Sequence, residues 1–288
     1  MATTDRRSLL KGFAAAAATM TVVSTPAMAR DRKSAPSDAV GLLYDATKCI
    51  GCKGCVAKCK EINDLKADTR ADAKYDAPEG LNEYAKNVIQ LARYGDEVSY
   101  VKKQCMHCID PACVGACMLG ALHKGEFGIV SYNVDSCVGC RYCQIACPFN
   151  VPKFQWTSVA PKIVKCELCK ERLAEGKQPG CAEVCPRKAV IFGKHQELLD
   201  EAHRRLAADP NLYVQKVYGE KDLGGTQVLY ISHIPFENLG FRFSGEQPVP
   251  EVQQAVSHAV YKGFAAPVAL YAVLGAVMFR NRKKGADE

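Results

Sequence analysis

Sixteen cysteines stand in four groups of four along a chain of 288 residues. Group I is Cys49, Cys52, Cys55 and Cys59, and group II is Cys105, Cys108, Cys113 and Cys117. Group III is Cys137, Cys140, Cys143 and Cys147, followed by Pro148; group IV is Cys166, Cys169, Cys181 and Cys185, followed by Pro186. Thiolates are soft ligands, and three of them at intervals of three on a tight loop can wrap an iron–sulfur cubane and hold three of its irons. Groups I and III have this C-x2-C-x2-C-x3-C spacing. The fourth cysteine of each group is expected to open a helix and to point at a partner cluster. Gly51, Gly54 and Gly139 let the loop backbone approach an inorganic core, and proline after the last cysteine sets the chain to leave. Group II widens one gap to four residues and group IV to eleven, without losing the triplet-plus-one pattern. Met118, not proline, follows Cys117.

Two other chemistries use cysteine pairs. Zinc ribbons repeat C-x2-C, but they do not need a third cysteine at the same interval. Disulfides suit an exported chain with an even cysteine count, but adjacent C-x2-C triplets make poor disulfide frameworks.

The cysteine loops need short elements to hold them. Residues 98–102 predict a strand leading into group II, and residues 121–124 and 129–132 a hairpin around Gly125-Glu126-Phe127-Gly128. Asp135 opens group III, and residues 189–192 predict a strand after group IV. Cysteine loop, strand, turn, strand, cysteine loop is the rhythm of a bacterial ferredoxin. Groups II and III form one contiguous module; groups I and IV come together around it as the second. Residues 60–104 are a charged insertion, expected to be partly helical over 81–92. Residues 195–208 predict an amphipathic covering helix with Leu198, Leu199, Ala202 and Leu206 on one face.

No catalytic constellation accompanies the cysteines. The six histidines are scattered, and His107 falls between two cysteines, where it either tunes a cluster or faces solvent. Gly224-Gly225 makes a turn rather than a nucleotide loop. Four clusters without a substrate site describe a wire, not an enzyme. Lys53, Lys58, Arg141, Lys165 and Arg187 are candidates for tuning its potentials. The chain is 48% hydrophobic and 24% charged, which excludes a disordered tail and a polytopic membrane protein. Its net charge of +7 gives no case for nucleic acid, because four thiolate-bound clusters at about −2 each more than cancel it.

Both ends carry targeting signals. Arg6-Arg7 precede Ser8-Leu9-Leu10-Lys11 and a weakly apolar run, and Ala27-Met28-Ala29 offers cleavage after Ala29. Paired arginines before a mild, alanine-rich core suit the twin-arginine (Tat) export route, which carries folded proteins; an ordinary secretory signal is the alternative. Residues 263–279 hold no charge and, extended back to Ala259, approach the length of a membrane span. Arg280, Arg282, Lys283 and Lys284 follow, which predicts a cytoplasmic C-terminus. A buried helix is the alternative. The expected domains are a signal peptide (1–29), a four-cluster domain (30–258), a transmembrane helix (259–280) and a cytoplasmic tail (281–288).

The four groups together resemble the four-cluster electron-transfer subunits of bacterial respiratory oxidoreductases. Carrying stretches are Gly41-Leu42-Leu43-Tyr44-Asp45, Lys102-Lys103-Gln104-Cys105-Met106-His107-Cys108, Ala146-Cys147-Pro148 and Lys165-Cys166-Glu167-Leu168-Cys169. Gly224-Gly225-Thr226-Gln227-Val228-Leu229, Pro235-Phe236-Glu237-Asn238-Leu239 and the two ends add a narrower likeness. With these, the chain resembles the iron–sulfur subunit family of hydrogenase-2 type periplasmic nickel–iron uptake hydrogenases. The resemblance implies an α+β fold of two interleaved bacterial-ferredoxin-like modules, each with two 4Fe–4S clusters, and a single C-terminal transmembrane helix. It implies cluster one on Cys49, Cys52, Cys55 and Cys185, and cluster two on Cys166, Cys169, Cys181 and Cys59. Cluster three would use Cys105, Cys108, Cys113 and Cys147, and cluster four Cys137, Cys140, Cys143 and Cys117. It implies nickel–iron hydrogenase large and small subunits as partners, with a quinone-reactive integral membrane subunit and, through it, menaquinone. The place is the periplasmic face of the cytoplasmic membrane. The same wire in a formate dehydrogenase or another molybdenum or tungsten respiratory enzyme is the alternative.

Overall fold

The computed structural model describes residues 33–66, 80–156, 158, 161–241, 245–250, 267–268 and 270–278. In chain order the elements are β1 (Val40–Asp45), α1 (Gly54–Ile62), β2 (Asn87–Tyr94), β3 (Glu97–Gln104) and α2 (Ala112–Gly115). Then come β4 (Leu122–Lys124), β5 (Val130–Tyr132), α3 (Tyr142–Ala146), β6 (Lys153–Phe154) and β7 (Ile163–Val164). The series ends with α4 (Lys170–Ala174), α5 (Gly180–Glu183), β8 (Val190–Lys194), α6 (His195–Ala208) and β9 (Val228–Ile231).

β1 is the middle strand of a three-stranded sheet, antiparallel to β8 and parallel to β9. It is buried on both faces, which is why it reads as an unbroken apolar run. Leu43, Leu229 and Ile231 face α6, where Leu198, Ala202 and Leu206 recur every four residues and are buried. Each such leucine contributes about 2 kcal/mol. Leu42, Tyr44, Val228 and Tyr230 face the opposite core, shared with Cys55 and Cys181. The sheet thus fixes the entry to group I and the exit from group IV. Gly41 admits the β9 backbone: a Cβ there would lie 2.0 Å from the Gln227 carbonyl oxygen.

The expected hairpin before group III is β4–β5, and the strands before group II and after group IV are β3 and β8. The helix expected over 81–92 is replaced by β2, paired antiparallel with β3 from Asn87↔Gln104 to Tyr94↔Glu97. Gly95, at φ 60°, makes the turn. Asn87 and Ile89 point inward and Val88 and Gln90 less so, the period of a strand.

The chain falls into two units, Arg32–Val252 and the two ends taken together. Of the ends, only helical residues 267–268 and 270–278 are described, and they are exposed. Among the described residues no helix is long and apolar enough to cross a membrane. The predicted signal peptide (1–29) and tail (281–288) lie outside the described residues, as does much of the predicted span (259–280).

Candidate metal centres

All four groups present their cysteines by one device. The residue before the second cysteine is left-handed in each: Gly51 (φ 69°), His107 (47°), Gly139 (70°) and Leu168 (54°). The third cysteine is the second residue of a short helix: Cys55 in α1, Cys113 in α2, Cys143 in α3 and Cys181 in α5. The fourth follows four residues later, inside α1 (Cys59) or at or beyond the helix end (Cys117, Cys147, Cys185). The expectation that the fourth cysteine opens a helix is therefore corrected. The left-handed loop hands the chain to the helix at the third.

All sixteen thiols are free, so no disulfide framework exists. Among the described residues no three His, Cys, Asp or Glu side chains converge as a single bound ion would need. One set of thiols instead surrounds a cavity. Cys49, Cys52, Cys55 and Cys185 line one cavity with Tyr44, Ile89 and Val190. Burial pushes Cys59 up to about 12, helped by the neighbouring charges of Cys166, Cys181 and Cys169. Burial likewise raises Cys108 well above the ordinary thiol range, with Cys147, Cys113 and Cys105 beside it. Cys143 is pushed up to about 12 by burial and then by Cys117, Cys137 and Cys140. Helix packing brings the groups together. α1 packs on α5 and α2 on α3, and a Cβ on Gly180 would come within 2.3 Å of Ile62.

Cysteines of different groups also share cores. Cys55 and Cys181 share one core and each other's field. Cys105 and Cys166 pack in another, and Cys113 and Cys143 in a third.

The surroundings fit a sulfur-rich anionic group. Asn63 Nδ2 lies 3.6 Å from Cys59 Sγ, and the Leu168 amide donates to Cys166 Sγ at 3.4 Å. Amides of Phe149, Asn150 and Val151 face the Cys147 thiol, and the hydroxyls of Tyr44 and Tyr132 face Cys49 and Cys137. His107 is fully buried rather than solvent-facing. Burial, then Lys165 and Lys124, holds it well below its ordinary pKa, hence neutral. Its Nδ1 accepts the Val130 amide at 3.1 Å, so Nε2 carries the proton and has no partner among the described residues. An orphaned buried donor between two ligand cysteines suits a sulfur acceptor.

Lys165 is buried and donates to the carbonyls of Val130 and Cys166. Of the other tuning candidates, Lys58 pairs with Glu61 at 2.6 Å, Arg141 lies 4.0 Å over the Trp156 ring and Arg187 is exposed. Lys53 is the left-handed residue before α1. Sequence reasoning missed Lys102, which is fully buried. Large apolar side chains flank the fourth set in the open, with Met118 83% and Ile145 80% exposed, beside Leu119, Val138, Tyr142 and Trp156.

Comparison with known proteins agrees with this geometry. Residues 97–195, which hold groups II to IV, match the family model described as a 4Fe-4S dicluster domain. The chain is 39% identical over 292 residues to the hydrogenase-2 operon protein HybA of Escherichia coli O157:H7, covering 89% of each. The chain belongs to the HybA family. HybA-family membership and the sixteen cysteines give it multiple 4Fe–4S clusters in a ferredoxin-like, mixed α/β fold. More distant relatives are iron–sulfur subunits of formate dehydrogenases. The nitrate-inducible one of Escherichia coli K12 is 32% identical over 86% of this chain and 83% of its own. That of Haemophilus influenzae is 33% identical over 87% and 80%.

Proposed function

We propose that this HybA-family protein is the electron-transfer subunit of a hydrogen:quinone oxidoreductase, with four 4Fe–4S clusters and no catalytic site of its own. It takes electrons from a nickel–iron hydrogenase and passes them to an integral membrane subunit that reduces quinone, menaquinone by family likeness. The ligand sets are Cys49, Cys52, Cys55 and Cys185; Cys59, Cys166, Cys169 and Cys181; Cys105, Cys108, Cys113 and Cys147; and Cys117, Cys137, Cys140 and Cys143. They form two interleaved ferredoxin-like modules.

The carrying observation is that cysteines of successive sets share a core and each other's field: Cys55 with Cys181, Cys166 with Cys105, Cys113 with Cys143. It supports a single line of four centres in the order one, two, three, four. When bound, the clusters supply one-electron transfer. The chain holds them, leaves only Cys52 and Cys140 of their sixteen ligands openly exposed and fixes their spacing. The first set approaches the surface at exposed Cys52 and the fourth at exposed Cys140. The apolar side chains around the fourth suit docking to the membrane subunit.

Export by the Tat route, cleavage after Ala29 and anchoring by residues 259–280 at the periplasmic face complete the reading. Arg6-Arg7 and the uncharged stretch 263–279 support them. The test is a strain lacking this chain. Its membranes retain hydrogen oxidation with an artificial dye but lose hydrogen-dependent quinone reduction; unaltered quinone reduction overturns the proposal. The formate dehydrogenase relatives favour a second reading, the same wire beside a molybdenum or tungsten subunit. Loss of formate-dependent rather than hydrogen-dependent quinone reduction would select it.

A further inference from the structure

Lys102 sits on β3, three residues before the first cysteine of group II, and is completely buried. Its ammonium donates to the Gln104 side-chain carbonyl, and its backbone carbonyl accepts the Tyr230 hydroxyl at 2.7 Å. The side chain is thus held on a strand pinned from the neighbouring sheet. The charges facing it are thiols of two sets: Cys55 of the first, and Cys181, Cys166 and Cys59 of the second. Among the described residues no Asp or Glu forms an ion pair with it.

A lysine this buried, without a carboxylate, ordinarily loses its proton. The four cysteines beside Lys102 would hold two anionic clusters, and these supply the counter-charge that a buried ammonium requires. Packing alone does not call for a charge here, because an unbranched apolar side chain of similar length fills the same space.

An oxidised cluster with four thiolates carries a net charge of about −2, and reduction adds one more negative charge. A fixed cation beside the cluster therefore favours the reduced form. We propose that Lys102 is the shared internal counter-cation of the first and second clusters and raises the reduction potential of both. It is a positioning and tuning residue, touching no substrate. The inference rests on the ligand sets proposed above. Lys165, a second buried lysine, donates to the Cys166 carbonyl and places its field on Cys105 and Cys113 of the third set.

The test is an anaerobic redox titration of the intact complex, followed by electron paramagnetic resonance, with wild type, Lys102→Met and Lys102→Arg. In Lys102→Met, two of this chain's clusters titrate at lower potential and two do not move. The expected shift is at least a tenfold change in the oxidised-to-reduced ratio at fixed potential, about 59 mV for a one-electron couple. Lys102→Arg, which keeps the charge, stays near wild type. Four unmoved clusters in a fully loaded Lys102→Met complex overturn the inference, as does a shift of all four. If Lys102→Met loads poorly, iron content decides. Loss of about half the iron, with Lys102→Arg fully loaded, supports the counter-cation role; equal loss in Lys102→Arg makes the residue a packing element and overturns it. Fewer than four clusters in this chain in the wild type would instead refute the ligand sets.

Discussion

Cys143 lies in α3 and Cys147 caps its C-terminal end four residues on, yet they face different sets of thiols. Cys143 has Cys117, Cys137 and Cys140 beside it, whereas Cys147 lies in the field of Cys105, Cys108 and Cys113. One turn of helix thus joins two proposed clusters, and each cysteine belongs to a separate one. Cys147→Ser is expected to perturb the cluster held by Cys105, Cys108 and Cys113 while leaving that of Cys137, Cys140 and Cys143. Paramagnetic resonance of the reduced complex should show one altered signal, with quinone-linked turnover down about tenfold or more. Unchanged spectra and turnover would remove Cys147 from the ligand set.

Lys165 tests the electrostatic reasoning at a second place. Its charge opposes the upward push of burial on Cys105 and Cys113. Lys165→Met should lower the potential of the third cluster, whose Cys105 and Cys113 lie in its field. The carbonyls of Val130 and Cys166 lose their donor at the same time, which costs about 1–3 kcal/mol. A redox titration and a thermal melt of one sample separate the two effects.

Gly41→Ala should destabilise the sheet that anchors groups I and IV. The new methyl would overlap the Gln227 carbonyl, which also accepts the Leu42 amide at 3.1 Å. Parting β1 from β9 is expected to cost about 3 kcal/mol. A lower apparent melting temperature and reduced iron content after purification would register it. A wild-type melt would mean the strands separate without cost.

Ile145→Asp probes the apolar surface beside the fourth set. Ile145 is 80% exposed, so a carboxylate there leaves the fold and the iron content intact. Co-purification with the membrane subunit and quinone-linked turnover should both fall at least tenfold, and dye-linked hydrogen oxidation should stay. Retained co-purification would move the docking surface elsewhere.

The parts of this structure that were legible in the sequence are the local ones. Ligand spacing is set within a few residues, so the four groups could be read directly. Helix α6 announced itself through Leu198, Ala202 and Leu206. Residues 81–92 misled because Leu81, Ala85, Val88 and Ala92 also fit a helical interval, while the deciding interaction is pairing with β3. Lys102 stayed hidden because Lys102-Lys103 reads as solvated charge, although a strand sends successive side chains to opposite faces. His107 was placed only by the left-handed turn before Cys108 and by the Val130 amide, both of which depend on β5. The proposed crossing of ligands between groups needs the packing of α1 on α5 and α2 on α3, which spacing alone does not encode.

The most direct measurement is metal analysis of the complex that co-purifies with this chain from membranes under anaerobic conditions. The account predicts nickel, and about sixteen irons for each copy of this chain beyond those of its partners. Molybdenum or tungsten in place of nickel would contradict the assignment to a hydrogenase, and zinc in a colourless protein would contradict the wire itself.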